Sequence, residues 1–168
     1  TAYMPAFTIE GKLELNANAG ANGNIILTDS ISVTDAIGLY NSGAGNGIVR
    51  FSGDSGITLS TKKLAIGGIG SASYRTIANL SGLTINADTI TNWKSSAIIG
   101  SDSILLGTAT INTSTINWID PNIYLDAGTS TVNFTGTGAS TLTSAGKSFN
   151  RINVRKGNKA RFALADSL

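Results

Sequence analysis

The sequence predicts an all-β chain wound as a β-solenoid, a parallel β-helix with coils of about 26 residues. Three observations predict it. One short strand recurs at a fixed step, apolar and polar residues alternate inside every copy, and no helical stripe separates the copies. An antiparallel β-sandwich is the alternative, because short alternating strands with glycine turns suit that fold as well.

The copies read SISVT at 30–34, GITLS at 56–60, GLTIN at 82–86 and TATIN at 108–112. At a constant step they align without insertion. One apolar column is Ile31, Ile57, Leu83 and Ala109, and a second is Val33, Leu59, Ile85 and Ile111. The outward positions are Ser32, Thr58, Thr84 and Thr110, then Thr34, Ser60, Asn86 and Asn112. A period of two belongs to a strand with one buried face. Repeating the strand repeats its inward contacts, with Ile85 over Leu59 and under Ile111. A single coil cannot close its own core, so each coil is stabilised by its neighbours.

A second rank keeps the step at Leu64, Ile90 and Ile116, and a third matches 97–99 with 123–125. The chain has room for roughly six coils at that step. After Asn112 the step shortens, with strands expected at 130–135, 140–143 and 152–154. The last five residues, LADSL, echo LTDSI at 27–31, as though another coil would begin there. The Asn-Gly pairs that favour tight hairpins, Asn22-Gly23 and Asn46-Gly47, precede the clearest repeats, which disfavours the sandwich.

The 168 residues form a single expected solenoid domain, 1–168. Because the sequence starts at Thr1 rather than Met, it is expected to be a segment of a longer protein or assembly. Hydrophobic residues are 41% and charged residues 13%. The first value disfavours disorder; the second is about half the usual share. A surface of hydroxyls and amides is common in extracellular and virion-surface β proteins.

There is no Cys and no His. Disulfides, thiolate and imidazole metal ligands, and His-dependent nucleophilic triads are therefore excluded. No cofactor, metal site or nucleic-acid partner is expected. No apolar run reaches the length that spans a bilayer, so membrane insertion by a helix is not expected either.

The stretch AGTSTVNFTGTGASTLTSAGKSFNRINVRKG, 127–157, resembles a repeat of large bacterial surface proteins and bacteriophage structural proteins. Matching positions include Gly128, Val132, Phe134, Gly136, Leu142, Phe149 and Ile152. Where the pattern has Leu or Val after Asn, this chain has Arg151-Ile152. The resemblance implies an extended β-solenoid serving in a fibre, adhesin or virion appendage. It is a scaffold pattern, so no functional residue carries over.

Two groups of side chains are candidate interaction sites. Lys147, Arg151, Arg155, Lys156, Lys159 and Arg161 are half of the 12 basic residues, with no acid among them. The two glutamates, Glu10 and Glu14, lie near the other terminus. This asymmetry points to end-to-end self-association, to other structural subunits or to an anionic partner, with a solvated patch as the plain alternative. Trp93, Trp118 and Tyr124 would stack on a surface glycan if exposed, or pack at a corner of the core if not.

No catalytic residues are expected. A polysaccharide-degrading domain needs two carboxylates at hydrolase spacing, yet most candidates (Asp29, Asp35, Asp54, Asp88, Asp102, Asp120, Asp126) sit beside Gly, Ser or Asn, where Asp holds turns. The column Thr58, Thr84, Thr110 suits an exposed strand. The expected role is structural, on a virion or bacterial cell surface, with glycan binding or tailspike-like polysaccharide cleavage as alternatives.

Overall fold

The structure is a computed structural model that describes residues 1–17, 22–41, 48–68, 75–92, 102–157 and 160–166. Its strands are β1 (Ala2–Met4), β2 (Phe7–Ile9), β3 (Lys12–Ala17), β4 (Gly23–Leu27), β5 (Ile31–Asn41), β6 (Ile48–Gly53), β7 (Thr58–Gly68) and β8 (Arg75–Asn79). They continue with β9 (Thr84–Asn92), β10 (Ser103–Leu105), β11 (Thr110–Asn117), β12 (Tyr124–Asp126), β13 (Thr131–Phe134), β14 (Ser140–Thr143), β15 (Arg151–Val154) and β16 (Phe162–Leu164). No helix occurs among the described residues.

Every strand pairing among the described residues is parallel. A 6-stranded sheet runs β1-β4-β6-β8-β10-β12. A 10-stranded sheet runs β15-β13-β11-β9-β7-β5-β2, with β3 beside β5, β14 beside β11 and β16 beside β14. The fold is a β-solenoid. The antiparallel sandwich is ruled out, because sandwich strands pair antiparallel.

Each coil takes a short strand through the smaller sheet, turns, and then runs a long strand bent near its middle. Lys62, Asp88 and Ser114 mark the bend. The ladder passes from Thr61↔Ala87 to Lys63↔Thr89, and from Thr113↔Ala87 to Thr115↔Thr89, skipping those three while the register is kept. In the first coil and the last two, the chain breaks into separate strands at the same corner, β2/β3, β13/β14 and β15/β16.

The core is a set of vertical columns. One is Phe7, Ile31, Leu59, Ile85, Ile111, Val132 and Ile152. Beyond the corner another is Leu13, Ile37, Leu64, Ile90, Ile116, Leu142 and Leu164. Val49, Phe51, Ala78 and Ile104 close the core from the smaller sheet. Each fully buried Ile, Leu or Val contributes about 1.5–3 kcal/mol.

The expected step holds between β7, β9 and β11, where equivalent residues are 26 apart. It fails one coil earlier. Ile31 lies across from Leu59 rather than Ile57, and Val33 across from Thr61 rather than Leu59. A register shift between Val33 and Ala36 then absorbs one extra residue of β5. A bulge of this kind bends a strand without exchanging its faces on either side. Ile57 belongs to the turn before the strand, where its carbonyl accepts from Thr84 N, as Leu83 O accepts from Thr110 N.

Two further alignments change. Tyr124 pairs with Ser103, and residues 97–99 lie outside the described residues. Leu164 lies in the larger sheet beside Leu142, whereas Leu27 closes β4 in the smaller one, so these two leucines are not equivalent, and residues 167–168 lie outside the described residues. The Asn22-Gly23 pair makes no hairpin. Gly23 opens a parallel strand, and Asn22 accepts from Ile48 N. The Asn46-Gly47 pair lies outside the described residues.

Candidate functional site

The corner and turns fix where polar side chains go. Asn86, Asn112, Asn133 and Asn153 occupy one outward column of β9, β11, β13 and β15. The Nδ2 of the last three donates to the Oδ1 of the preceding coil: Asn112 to Asn86 at 2.8 Å, Asn133 to Asn112 at 2.9 Å, Asn153 to Asn133 at 2.9 Å. Stacked amides at the spacing of a ladder give such chains of hydrogen bonds. The sequence showed the first two asparagines in register. The last two were hidden by the shortened step, although NF in VNF and NV in INV carry the same position.

Beside this ladder, at the bend, a groove of about 340 Å³ is lined by Ser60, Thr61, Asn86, Asp88, Asn112 and Ser114 among others. A second cleft, about 270 Å³, lies where Ala36, Gly38 and Ala65 leave room between Lys12, Glu14, Asp35 and Lys63. Tyr40 Oη donates to Glu14 Oε2 at 2.6 Å. That hydrogen bond, together with burial and the carboxylate's charge, pushes the Tyr40 phenol up to about 12.

Most candidate aspartates hold backbone. Asp29 accepts from Ser30 N, Asp102 from Thr76 N, Asp120 from Asn122 N and Asp126 from Gly128 N. Asp166 accepts from Ser144 N and Ala145 N at 2.7 and 2.6 Å, which lowers its carboxyl below the usual range and ties down the end of the last coil.

The basic cluster gathers at one end of the solenoid. Arg151 and Arg155 are exposed on or beside β15, and Arg161 is exposed just before β16. Among the described residues those strands pair with earlier coils, β15 with β13 and β16 with β14. Lys147 Nζ donates to Pro121 O and Lys156 Nζ to Thr135 O, so both fold back on earlier coils. Lys159 lies outside the described residues. The opposite end is built from β1, β2 and β3, with Glu10 and Glu14 exposed on it.

Both ends also present apolar surface. Val154 is 46% exposed and Leu164 53%, although each continues an inward column. Tyr3 is 68% exposed on β1, and Tyr124 is 55% exposed on β12, the last strand of the smaller sheet. Phe7, Ile9 and Leu13 are partly buried at the first coil, as are Phe149, Ile152 and Phe162 at the last.

Among the described residues the aromatic group does not assemble into a stacking platform. Trp118 is 3% exposed and belongs to the core, so it cannot meet a sugar ring. It follows β11 directly, and its backbone N donates to Thr143 O. Its indole Nε1 has no hydrogen-bond partner among the described residues. Trp93 lies outside the described residues. Tyr124 is exposed, on the smaller sheet.

Among the described residues no three His, Cys, Asp or Glu side chains cluster as a metal site would require. No helix among them is long and apolar enough to cross a membrane. Comparisons with protein-family models, with curated proteins and with solved structures return no match.

Proposed function

We propose that this chain is a structural β-solenoid segment of a virion fibre or appendage or a bacterial surface filament, acting as scaffold and interaction surface. The observation that carries this reading is the way the coils stack: every strand pairing among the described residues is parallel, and an outward column of asparagines hydrogen-bonds from coil to coil. The low charge content and the resemblance of 127–157 to fibre and surface-protein repeats support the same role and an extracellular setting. Sedimentation velocity across concentration and salt tests it. Growth with concentration is the expected result. A monomer under all conditions would remove self-assembly from the proposal.

A second reading is supported by the corner groove. Amides, hydroxyls and one carboxylate, Asp88, line it along the direction in which coils stack. Such groups hydrogen-bond to sugar hydroxyls, so a surface glycan is the alternative partner. Calorimetric titration with oligosaccharides tests it. Heat of binding lost in Asp88→Ala would support the groove, and the absence of binding heat would end this reading.

A further inference from the structure

Resting on the glycan reading of the corner groove and deepening it, we infer that the neighbouring cleft takes a carboxylated sugar unit, so that the ligand is an acidic polysaccharide lying along the bend of the coils. Its carboxylate would sit between Lys12 and Lys63, and its ring hydroxyls would reach Glu14 and Asp35.

The pleat builds the cleft. Leu13, Ile37 and Leu64 point into the core, so the residues on either side of each point outward. One outward column is Lys12, Ala36 and Lys63, and the next is Glu14, Gly38 and Ala65. Ala36 and Gly38 come from the middle coil, and neither fills the space above it. The two lysines therefore stand on opposite sides of a gap, with Cα atoms about 10 Å apart at two ladder steps. An anion seated over Ala36 meets an ammonium group from each side. Both lysines are exposed, and among the described residues neither has an ion-pair partner in the chain.

The rest of the cleft is acidic and held in place. Glu14 Oε2 accepts from Tyr40 Oη at 2.6 Å, and Tyr40 is buried, so a fixed group anchors the carboxylate. Asp35 lines the cleft at the bend of β5. Two ammonium and two carboxylate groups leave no net charge, so a bare polyanion gains little there. A ligand with one carboxylate and several hydroxyls satisfies all four, its hydroxyls donating to Glu14 and Asp35. Ala36, Gly38 and Ala65 make a smooth apolar floor for the C–H face of a sugar ring. The volume of about 270 Å³ is at the small end for ligand sites, which suits one ring rather than a lipid or a peptide.

The cleft adjoins the corner groove. Thr61, which lines the groove, donates its hydroxyl to the carbonyl of Asp35 at 3.3 Å. A glycan following the bend thus meets amides, hydroxyls and Asp88 in the groove, and the lysine pair beside it.

Calorimetric titration with a uronic-acid trisaccharide, and with the same trisaccharide after its carboxyls are reduced to alcohols, tests this. The acidic form should bind about tenfold more tightly. Lys12→Gln and Lys63→Gln should each cut that preference about threefold and leave the reduced form's affinity unchanged. High salt should lessen the preference. Asp88→Ala, in the groove, should weaken both forms alike. Far-ultraviolet circular dichroism of each variant separates lost binding from a lost fold.

Equal affinity for the two forms, or a preference that survives both lysine substitutions, would overturn the charged cleft and leave the groove reading standing. Glycine or inorganic sulfate binding as tightly as the acidic trisaccharide would overturn the sugar assignment. No heat with either trisaccharide would overturn this inference and the groove reading together.

Discussion

Asn112 Nδ2 donates to Asn86 Oδ1 at 2.8 Å, and Asn112 Oδ1 accepts from Asn133 at 2.9 Å. One side chain therefore ties three coils together on the outer face, where hydrophobic burial contributes little. Net hydrogen bonds of this type are worth about 0.5–1.5 kcal/mol each. Asn112→Ala should cost about 1–3 kcal/mol, lowering the melting temperature by about 2–12 °C. Thermal denaturation followed by circular dichroism measures it, and an unchanged melting temperature would mean that the ladder carries no stability.

Ile85 is fully buried between Leu59 and Ile111, while its neighbour Thr84 faces outward. Ile85→Ala should cost about 2–5 kcal/mol, the range for a large-to-small change in a packed core. Thr84→Ala should stay within about 1 kcal/mol, since surface changes away from special features are small. Urea denaturation of the pair checks the inward and outward assignment, which equal losses would contradict.

The turn from the smaller sheet to the larger changes its geometry along the stack. In the earlier coils Gly56 and Gly82 hold the positive-φ position just before Ile57 and Leu83. Later it moves one place back, to Gly107 and Gly128. At Gly107, φ is 50°, and a Cβ would come within 2.2 Å of Ser81 Oγ and 2.4 Å of Ser81 Cβ. At Gly136, φ is 87° and nothing lies within 4 Å. Both Ala substitutions incur the left-handed penalty of about 1–2 kcal/mol. Gly107→Ala must also displace Ser81, whose Oγ accepts from Thr108 N. It should therefore unfold at clearly lower denaturant than Gly136→Ala, and similar midpoints would contradict the close stacking of these turns.

Tyr40 gives an alkaline signature. Its hydrogen bond to Glu14, then burial, then the negative charge of Glu14 push the phenol from 10.0 to about 12. The folded chain thus holds this proton more tightly than the unfolded chain does. The resulting stabilisation is complete below pH 10 and disappears as pH rises through about 12. In a phenolate absorbance titration the late-ionising step should vanish in Tyr40→Phe and move to lower pH in Glu14→Gln. A late step that survives Tyr40→Phe would assign it to another tyrosine.

The corner groove, the amide ladder and the basic end were legible to different degrees. The outward column at Asn86 and Asn112 was visible because neighbouring coils there differ by a constant number of residues. Asn133 and Asn153 were not, because later coils are shorter. The basic cluster was visible as composition. That it forms an end, with Lys147 and Lys156 folded back and Arg151, Arg155 and Arg161 outward, follows from which strands pair with β15 and β16.

The sequence alone determined that the chain is β, that coils stack, and which side chains of β7, β9 and β11 point inward. These are local consequences of the pleat, whose period of two is written directly in the residues. The tertiary structure alone decided that Ile31 meets Leu59, that Trp118 is buried, and that Leu164 lies in the larger sheet while Leu27 lies in the smaller. Pairing between coils is set by backbone hydrogen bonds across a whole turn of chain. A bulge or a shortened turn can shift that pairing by one or two residues while leaving every local alternation intact.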